Sequence, residues 1–462
     1  MKVSDLPRIA NDVGRFREVA SVLLRYGFAP WLKDVKLGWI QKQLMSVEGE
    51  LIANLPEAVR FREALTELGT TYIKLGQILS TRPDLVGPEI AEELSNLQSG
   101  TPADSPDVVA RTIEEDLGQP PEKLFREFDA EAFASASIGQ VHNATLPNGV
   151  EVVVKVQHDG IEERITNDLD ILVELCKLAE SYSTELENYR PVATAKEFRR
   201  TLLAELDFTR EMENAAQFTK NFEDDESIQF PTPYPKWCSR RVLTMAKLNG
   251  IGVGKRDELA KAGYDLTDIA RRGADTFLKM VFRDGFYHAN PHPGNLMILD
   301  GEVIGVLDCG MVGRVDEDLR DQVEDLLMGV MGSDAEQTVQ AIVEFGHVPM
   351  TCDRNKLRQD VAEFVDEFGS QSVEQFDVGG ALNGVSEIVR DNGITLPSRV
   401  SMLIKMMVML EGTAQQLSPA FSVGDLLRPY QTEAMLRRLS PQRLFRMVRH
   451  SYRSWSRLIE TF

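Results

Sequence analysis

Cysteine is scarce in this chain of 462 residues. Its four cysteines, at positions 176, 238, 309 and 352, are scattered, and no C-x-x-C pair occurs. Disulfide frameworks and structural zinc sites need cysteines in close and regular spacing. The sequence therefore favours free thiols in a reducing compartment over a disulfide-rich secreted scaffold.

Long apolar runs are also missing. No stretch approaches the ~18 consecutive apolar residues that predict a transmembrane helix, and residues 1–11 lack the apolar core of a signal peptide. Hydrophobic residues make up 43% of the chain and charged residues 27%, which is typical of a globular protein rather than a disordered one. We expect a folded cytoplasmic protein, long enough for two or three lobes.

Basic residues are too few to balance the acidic ones. The chain has 51 Lys and Arg against 72 Asp and Glu, a net charge of -21, which argues against general nucleic-acid binding. The stretch 437–457 is the exception, because it holds seven arginines and no acid. Its apolar residues fall on one helical face, as in an interfacial membrane helix. Packing of this basic helix on the acidic body is an equally open alternative.

The most informative stretch is 284–310, DGFYHANPHPGNLMILDGEVIGVLDCG. Its spacing is that of the catalytic and metal loops of kinases, H-R-D-L-x-x-x-N followed by D-F-G. A β-hairpin around an Asp-Gly turn is predicted between Asn295 and Asp308. Phosphoryl transfer needs oxygen ligands on the metal ions that bridge the phosphates, and these two side chains supply them.

Asn290 occupies the position at which a kinase carries its catalytic Asp. An amide cannot accept the substrate proton as a carboxylate does. The sequence therefore predicts retained binding of ATP and magnesium with strongly reduced turnover. Whether the Asn is natural or was introduced to disable the protein is left open by the sequence.

A second segment predicts a nucleotide-binding lysine. The strand V-V-V-K ending at Lys155 resembles the kinase V-A-I-K, where a strand presents its Lys to the nucleotide phosphates. The preceding loop is small and polar, as a phosphate-covering loop must be, but it is rich in Ala and Ser rather than Gly. Kinases pair this Lys with a helical Glu. On spacing alone, Glu205, Asp207 and Glu211 remain alternatives for that partner.

With these residues laid out, the sequence resembles the UbiB/ADCK family of atypical kinases over roughly residues 68–430. Several of its motifs appear in order. They are K-x-G-Q at Lys74, Gly76 and Gln77; an Ala-rich loop at Ala134, Ser135, Ala136, Ser137, Gly139 and Gln140; the nucleotide-binding Lys155; E-x-D at Glu205 and Asp207; the helix glutamate at Glu211; H-x-D-P-H-P-G-N at residues 288–295, with Asn290 in place of Asp; and the metal loop at Asp308.

The resemblance implies an α+β, mostly helical, two-lobed protein-kinase-like fold, with extra N-terminal helices covering the active site. It implies ATP and magnesium as cofactors, bound by the motif residues above, and ATPase or small-molecule/lipid kinase chemistry in support of ubiquinone or related prenyl-lipid biosynthesis. The expected location is cytoplasmic and peripheral to the inner membrane, with an anionic surface or prenyl lipid and lipid-biosynthesis proteins as partners. The predicted segments are an N-terminal helical extension at 1–60, the K-x-G-Q segment at 61–118, the N-lobe at 119–249, the C-lobe at 250–430 and the basic tail at 431–462.

Two other functions remain open. Asn290 favours a pseudokinase that acts as a scaffold or lipid-binding chaperone. An ordinary Ser/Thr protein kinase is less favoured, because no A-P-E follows Asp308 and a helix is predicted to begin almost at once at Asp316.

Overall fold

A computed structural model describes residues 13–28, 55–97, 100–182, 191–349, 352–369, 377–424, 426–427 and 430. The chain divides into two compact units. The first unit comprises residues 1–255 and 293–312, and the second comprises 256–292 and 313–462. The predicted basic tail lies outside the described residues.

Helices make up about half of the described part of the first unit. Its described helices are α1 (Val13–Arg25), α2 (Glu57–Leu68), α3 (Thr70–Leu79), α4 (Pro83–Val86), α5 (Pro88–Ser95), α6 (Pro106–Leu117), α7 (Pro121–Leu124), α8 (Ile161–Tyr182), α9 (Pro191–Glu205) and α10 (Phe208–Asn221). Proline opens α4, α5, α6 and α7, at a position where its missing N–H costs no hydrogen bond. Phe16, Val19 and Leu65 belong to one buried cluster, which joins α1 to α2.

An antiparallel sheet carries the predicted lysine. Its strands are β1 (Glu127–Phe128), β2 (Ala134–Ser135), β3 (Gly139–Thr145), β4 (Glu151–Gln157) and β6 (Val242–Ala246), in the order β1-β3-β4-β6 with β2 also on β3. On β4, Val152, Val154 and Val156 are buried against α6. Side chains alternate between the faces of a strand, so Lys155 lies on the other face, towards α10.

The second sheet carries the predicted metal loop. Its strands are β5 (Ile228–Gln229), β7 (Gly250–Gly252), β9 (Leu296–Leu299) and β10 (Ile304–Val306), in the order β5-β10-β9-β7. Strands β9 and β10 form the predicted antiparallel hairpin, and β5 joins β10 in parallel. Gly301 and Glu302 turn the chain with φ of 75° and 62°, in the left-handed region that glycine adopts readily.

The second unit is a helical assembly with a short strand pair. Its described elements are α11 (Arg256–Lys261), α12 (Leu266–Lys279), β8 (Phe286–His288), β11 (Val312–Arg314, which begins in the first unit), α13 (Glu317–Met331), α14 (Ala335–Phe345), α15 (Arg354–Gly369), α16 (Val378–Asp391) and α17 (Ser398–Leu417). Aspartates at 265, 316, 334 and 377 cap four of these helices by accepting backbone N–H groups. The α+β, mostly helical class predicted from the sequence is confirmed.

Within the described ranges, we find no helix that is both long and apolar enough to cross a membrane.

Candidate nucleotide site

A buried ion pair forms the centre of the site. Lys155 Nζ on β4 lies 2.7 Å from Glu211 Oε2 on α10, and the two side chains are 19% and 6% exposed. Asp207 positions this helix, because its carboxylate accepts the Thr209 N–H as the N-cap. The Phe208 ring covers the ammonium, with its centroid 5.0 Å from Nζ. Of the three candidate acids, the structure places Glu211 against Lys155.

The electrostatics keep the lysine charged despite its burial. Burial by itself lowers the pKa of Lys155, but Glu211 and Asp308 outweigh it and raise that pKa above its usual range. Burial raises the pKa of Glu211, with a further contribution from Asp308, while Lys155 acts in the opposite direction. The pair therefore presents a permanent cation beside the Asp308 carboxylate, as the phosphates of a nucleotide would require.

The metal loop is fixed at the open end of the β9–β10 hairpin. The Leu307 N–H donates to the Asn295 carbonyl at 2.8 Å, which brings the two ends of the hairpin together. Asp308 Oδ1 accepts the Gly310 N–H at 2.6 Å. From α10, Asn214 Nδ2 donates to the Cys309 carbonyl at 3.0 Å. Asn214 lies one turn after Glu211 on the same helix, so one helix positions both the lysine's partner and the metal loop.

The oxygen ligands available fit magnesium better than a transition metal. No cluster of three or more His, Cys, Asp or Glu side chains suited to a metal occurs in the described part of the chain. Asn295 and Asp308 offer one amide oxygen and one carboxylate. Magnesium is commonly held by one or two carboxylates together with waters and substrate phosphates. These residues therefore fit a magnesium ion that arrives with a nucleotide.

Hydrogen bonds from His158, which the sequence analysis did not single out, and from the predicted loop residue Gln140 hold the Ala-rich loop in place. His158 follows β4, and its Nδ1 and Nε2 lie 3.0 Å from Asp104 Oδ2 and from the Ala136 carbonyl oxygen. Gln140 is buried, and its Oε1 accepts the Asp104 N–H at 2.5 Å. Gln140 therefore faces the interior and shapes the loop. A histidine directly after a buried strand was the one available signal.

Burial in the rest of the loop is confined to its second half. Ala134 and Ser135 form β2, and Ser137 is buried. A Cβ on Gly139 would lie 2.5 Å from the Val156 carbonyl oxygen, which explains the glycine there by close backbone approach.

The K-x-G-Q motif lies on α3 and makes three different contacts. Lys74 Nζ forms an ion pair with Glu205 Oε2 at 3.0 Å. Gln77 Nε2 donates to the Leu97 carbonyl at 3.3 Å. A Cβ added to Gly76 would lie 2.2 Å from Leu97 Cδ1. The motif thus connects α3 to the end of α9 and to the segment after α5. Glu205 pairs with Lys74 of this motif rather than with Lys155.

Asn290, at the predicted catalytic position, lies in the second unit, whereas Asn295 and Asp308 lie in the first. The Asn290 N–H donates to His288 Nδ1 at 3.2 Å, and His288 is buried with its ring edge-on to Phe277. Thr413 Oγ1 donates to the Pro291 carbonyl at 2.9 Å. Contacts within the second unit therefore fix the backbone that carries Asn290.

Two family models match the chain. The ABC1 atypical kinase-like domain matches residues 96–342, and the UbiB helical domain matches residues 361–422. Among curated proteins, the chain is 33% identical to the probable protein kinase UbiB of Pseudomonas aeruginosa PAO1, over 96% of this chain and 84% of that protein. The same identity is found with the probable protein kinase UbiB of Glaesserella parasuis, over 93% and 79%, and with an uncharacterized protein of the hydrogenase 1 5' region of Clostridium pasteurianum, over 91% and 76%.

Among solved structures, the chain is similar to the Rv3197–erythromycin complex of Mycobacterium tuberculosis. The TM-score is 0.48 at 20% identity, covering 79% of this chain and 97% of that chain.

Proposed function

This chain belongs to the UbiB family of ABC1 atypical kinase-like proteins, and we propose that it binds ATP with magnesium as an impaired ATPase or small-molecule/lipid kinase. The observation that carries the proposal is the buried Lys155–Glu211 pair with Asp308 in electrostatic range. A fixed cation beside a carboxylate on a metal-loop hairpin is the arrangement that nucleotide phosphates and their magnesium require.

Each residue has a distinct part in this proposal. Lys155 binds the phosphates, and Glu211 holds its ammonium in place. Asn295 and Asp308 would hold magnesium, which when bound supplies charge neutralisation at the transferring phosphoryl group. Asn290 occupies the sequence position at which kinases carry the carboxylate that takes the proton of the attacking group, and an amide cannot accept that proton.

The size of the impairment can be estimated. Loss of general-base help costs about 10²- to 10⁴-fold in rate. Because phosphoryl transfer depends mainly on positioning and charge, some activity should remain. We therefore expect Asn290→Asp to hydrolyse ATP about 10²- to 10⁴-fold faster than the unaltered chain, at similar ATP affinity.

The test measures ATP–magnesium binding and ATP hydrolysis side by side, with anionic liposomes present. Asn355→Asp is the matched control, because it adds the same charge at an exposed position of the second unit. Lys155→Met should bind ATP weakly and remain inactive. Turnover of the unaltered chain in the usual kinase range of ~1–100 per second would refute the impairment.

A pseudokinase scaffold or lipid-binding chaperone is the second candidate, and Asn290 is the observation that favours it. In that case both the unaltered chain and Asn290→Asp would bind ATP, and neither would turn it over. The bound nucleotide would then have a structural or regulatory part.

The membrane and the pathway belong to the same proposal. Family membership supports a role in ubiquinone or related prenyl-lipid biosynthesis, with the protein cytoplasmic and peripheral to the inner membrane, where an anionic surface or prenyl lipid and lipid-biosynthesis proteins would be its partners. The arginine-rich stretch 437–457 would contact anionic lipids, each arginine adding about 1 kcal/mol near the surface. Deleting residues 437–462 should weaken binding to anionic vesicles. Unchanged binding would show that the tail does not contribute to membrane binding.

A further inference from the structure

A large groove in the first unit has neither Lys155 nor Glu211 among its lining residues. It has a volume of about 780 Å³ and is lined by side chains of α8, α9 and the start of α10, and by Arg240. Lys196, Arg199 and Arg200 recur at positions i, i+3 and i+4 of α9, so they lie on one face of that helix. Across the groove, α8 contributes Asp170 and Glu174.

The groove is basic although the chain is strongly acidic. Six cationic side chains line it against three carboxylates, while the chain as a whole carries a net charge of -21. The cationic residues are Lys177, Lys196, Arg199, Arg200, Arg210 and Arg240, and the acidic ones are Asp170, Glu174 and Asp207. A local excess of positive charge in such a chain raises the local concentration of anions.

Ion pairs neutralise part of this charge but not all of it. Lys177 pairs with Glu174 at 2.7 Å, and Arg199 Nη2 lies 3.3 Å from Asp170 Oδ1. Outside the lining residues, Glu162 pairs with Arg240 at 2.7 Å. The Asp207 carboxylate is occupied by Thr209, whose N–H and Oγ1 it accepts. Each carboxylate that lines the groove therefore already has an ion-pair or hydrogen-bond partner.

What remains is a set of donors with no acceptor. Lys196 and Arg210 are exposed, and no carboxylate lies within 4 Å of them among the described residues. Arg199 also lines the groove, and its Nη2 lies beside Asp170. An anion in the groove would provide a partner for the two unpaired cations, Lys196 and Arg210.

We propose that this groove binds a phosphate group, through Arg199, Lys196 and Arg210. Guanidinium groups match the geometry of a phosphate, and several donors around one tetrahedral anion give charge-assisted hydrogen bonds. The groove is polar and open, so it fits a hydrated phosphate headgroup rather than an apolar chain. The phosphate comes either from an anionic phospholipid or from a free phosphate compound.

The binding test uses inorganic phosphate and isothermal titration calorimetry at low ionic strength, because salt screens exposed charges. In the double variant Lys196→Gln/Arg210→Gln, the Kd for phosphate should rise about tenfold or more, because two charge-assisted hydrogen bonds are lost. Both side chains are exposed, so the fold should persist. The matched control is Lys123→Gln/Arg126→Gln, which removes one Lys and one Arg from exposed positions outside the groove.

A Lys155→Met/Glu211→Gln arm, which removes the nucleotide-site lysine without leaving a buried carboxylate unpaired, separates this site from the nucleotide site. Phosphate binding that persists in this arm and weakens in the groove variant supports the proposal, whether or not the chain binds ATP. Phosphate binding that is lost in this arm while the protein stays folded, or that is equal in the groove and control variants, overturns it. Absence of phosphate binding to the unaltered chain also overturns it.

Vesicles identify the source of the phosphate. Flotation with phosphatidylcholine vesicles, with and without phosphatidylglycerol, is compared for the groove and control variants. Weaker flotation of the groove variant alone, together with weaker phosphate binding, assigns the site to a lipid headgroup. Unchanged flotation together with weaker phosphate binding assigns it to a free phosphate compound.

Discussion

Replacing Lys155 by Met should destabilise the first unit in a way that depends on pH. The substitution keeps most of the side-chain volume on β4 but leaves Glu211, which is 6% exposed, without its cation. Removing one partner of a buried ion pair typically costs about 3–5 kcal/mol. We expect a loss at the low end of that range, ~3 kcal/mol at pH 8, because Glu211 can escape part of the penalty by taking up a proton.

The sign of the pH dependence follows from that proton. Burial and Asp308 already raise the pKa of Glu211, and without Lys155 the opposing effect is gone. A carboxyl group whose pKa is higher in the folded state destabilises the fold at high pH, where it is ionised in both states. Each unit by which the folded-state pKa rises lowers the free energy of unfolding at high pH by about 1.4 kcal/mol. The loss in Lys155→Met should therefore shrink as the pH falls through the folded-state pKa towards ~4.3, the ordinary value for Glu.

Urea unfolding at pH 8 and pH 5 measures both effects. Adding Glu211→Gln to Lys155→Met removes the stranded carboxylate, so the double variant should recover most of the loss at pH 8 and lose its pH dependence. Lys220→Met makes the same chemical change at an exposed position of α10 and should stay within about 0.5 kcal/mol of the unaltered chain. An equal loss at both pH values would show that packing, rather than a stranded charge, is responsible.

Two further predictions concern the surroundings of the site. Gly76→Ala should lower the free energy of unfolding by about 1–3 kcal/mol, because the added Cβ would overlap Leu97 Cδ1. Gly412→Ala is the matched control: nothing lies within 4 Å of a Cβ at that helical position, so this change should raise the free energy of unfolding by up to ~1 kcal/mol. Equal effects in thermal denaturation would contradict the packing argument. Cys309 should resist thiol reagents at pH 8 until the protein unfolds, because burial, Asp308 and Glu211 raise its pKa; rapid modification of Cys309 in the native protein, followed by peptide mapping, would refute this.

Local turn chemistry explains why part of the fold was predictable. The Asn148-Gly149 and Asp300-Gly301 turns predicted two hairpins, and both occur as β3–β4 and β9–β10. Ser105-Pro106 and Gly118 predicted the limits of α6. In contrast, β5 has only two residues, too few for any periodic signal, and it pairs with a strand about 75 residues later along the chain. The pairing of two strands so far apart depends on tertiary packing, which the spacing of residues along the sequence does not reveal.

The candidate site was predictable in its residue types and less so in its pairings. Glu205, Asp207 and Glu211 lie within seven positions, and spacing alone left all three as partners for Lys155. The structure gives each a separate contact: Glu205 with Lys74, Asp207 with the start of α10, and Glu211 with Lys155. Helix α9 ends at Glu205 and α10 begins at Phe208, and this break decides which carboxylate faces β4.

The division of the chain between the two units has a consequence for synthesis on the ribosome. A nascent chain that ends near residue 255 already contains β5 and β7, but their partners β9 and β10 belong to residues 293–312. Translation proceeds at about 5–20 residues per second, so those strand edges remain unpaired for several seconds. Unpaired strand edges recruit other chains. A fragment that ends at residue 255 should therefore aggregate, and the first unit can complete its folding only after part of the second has been made.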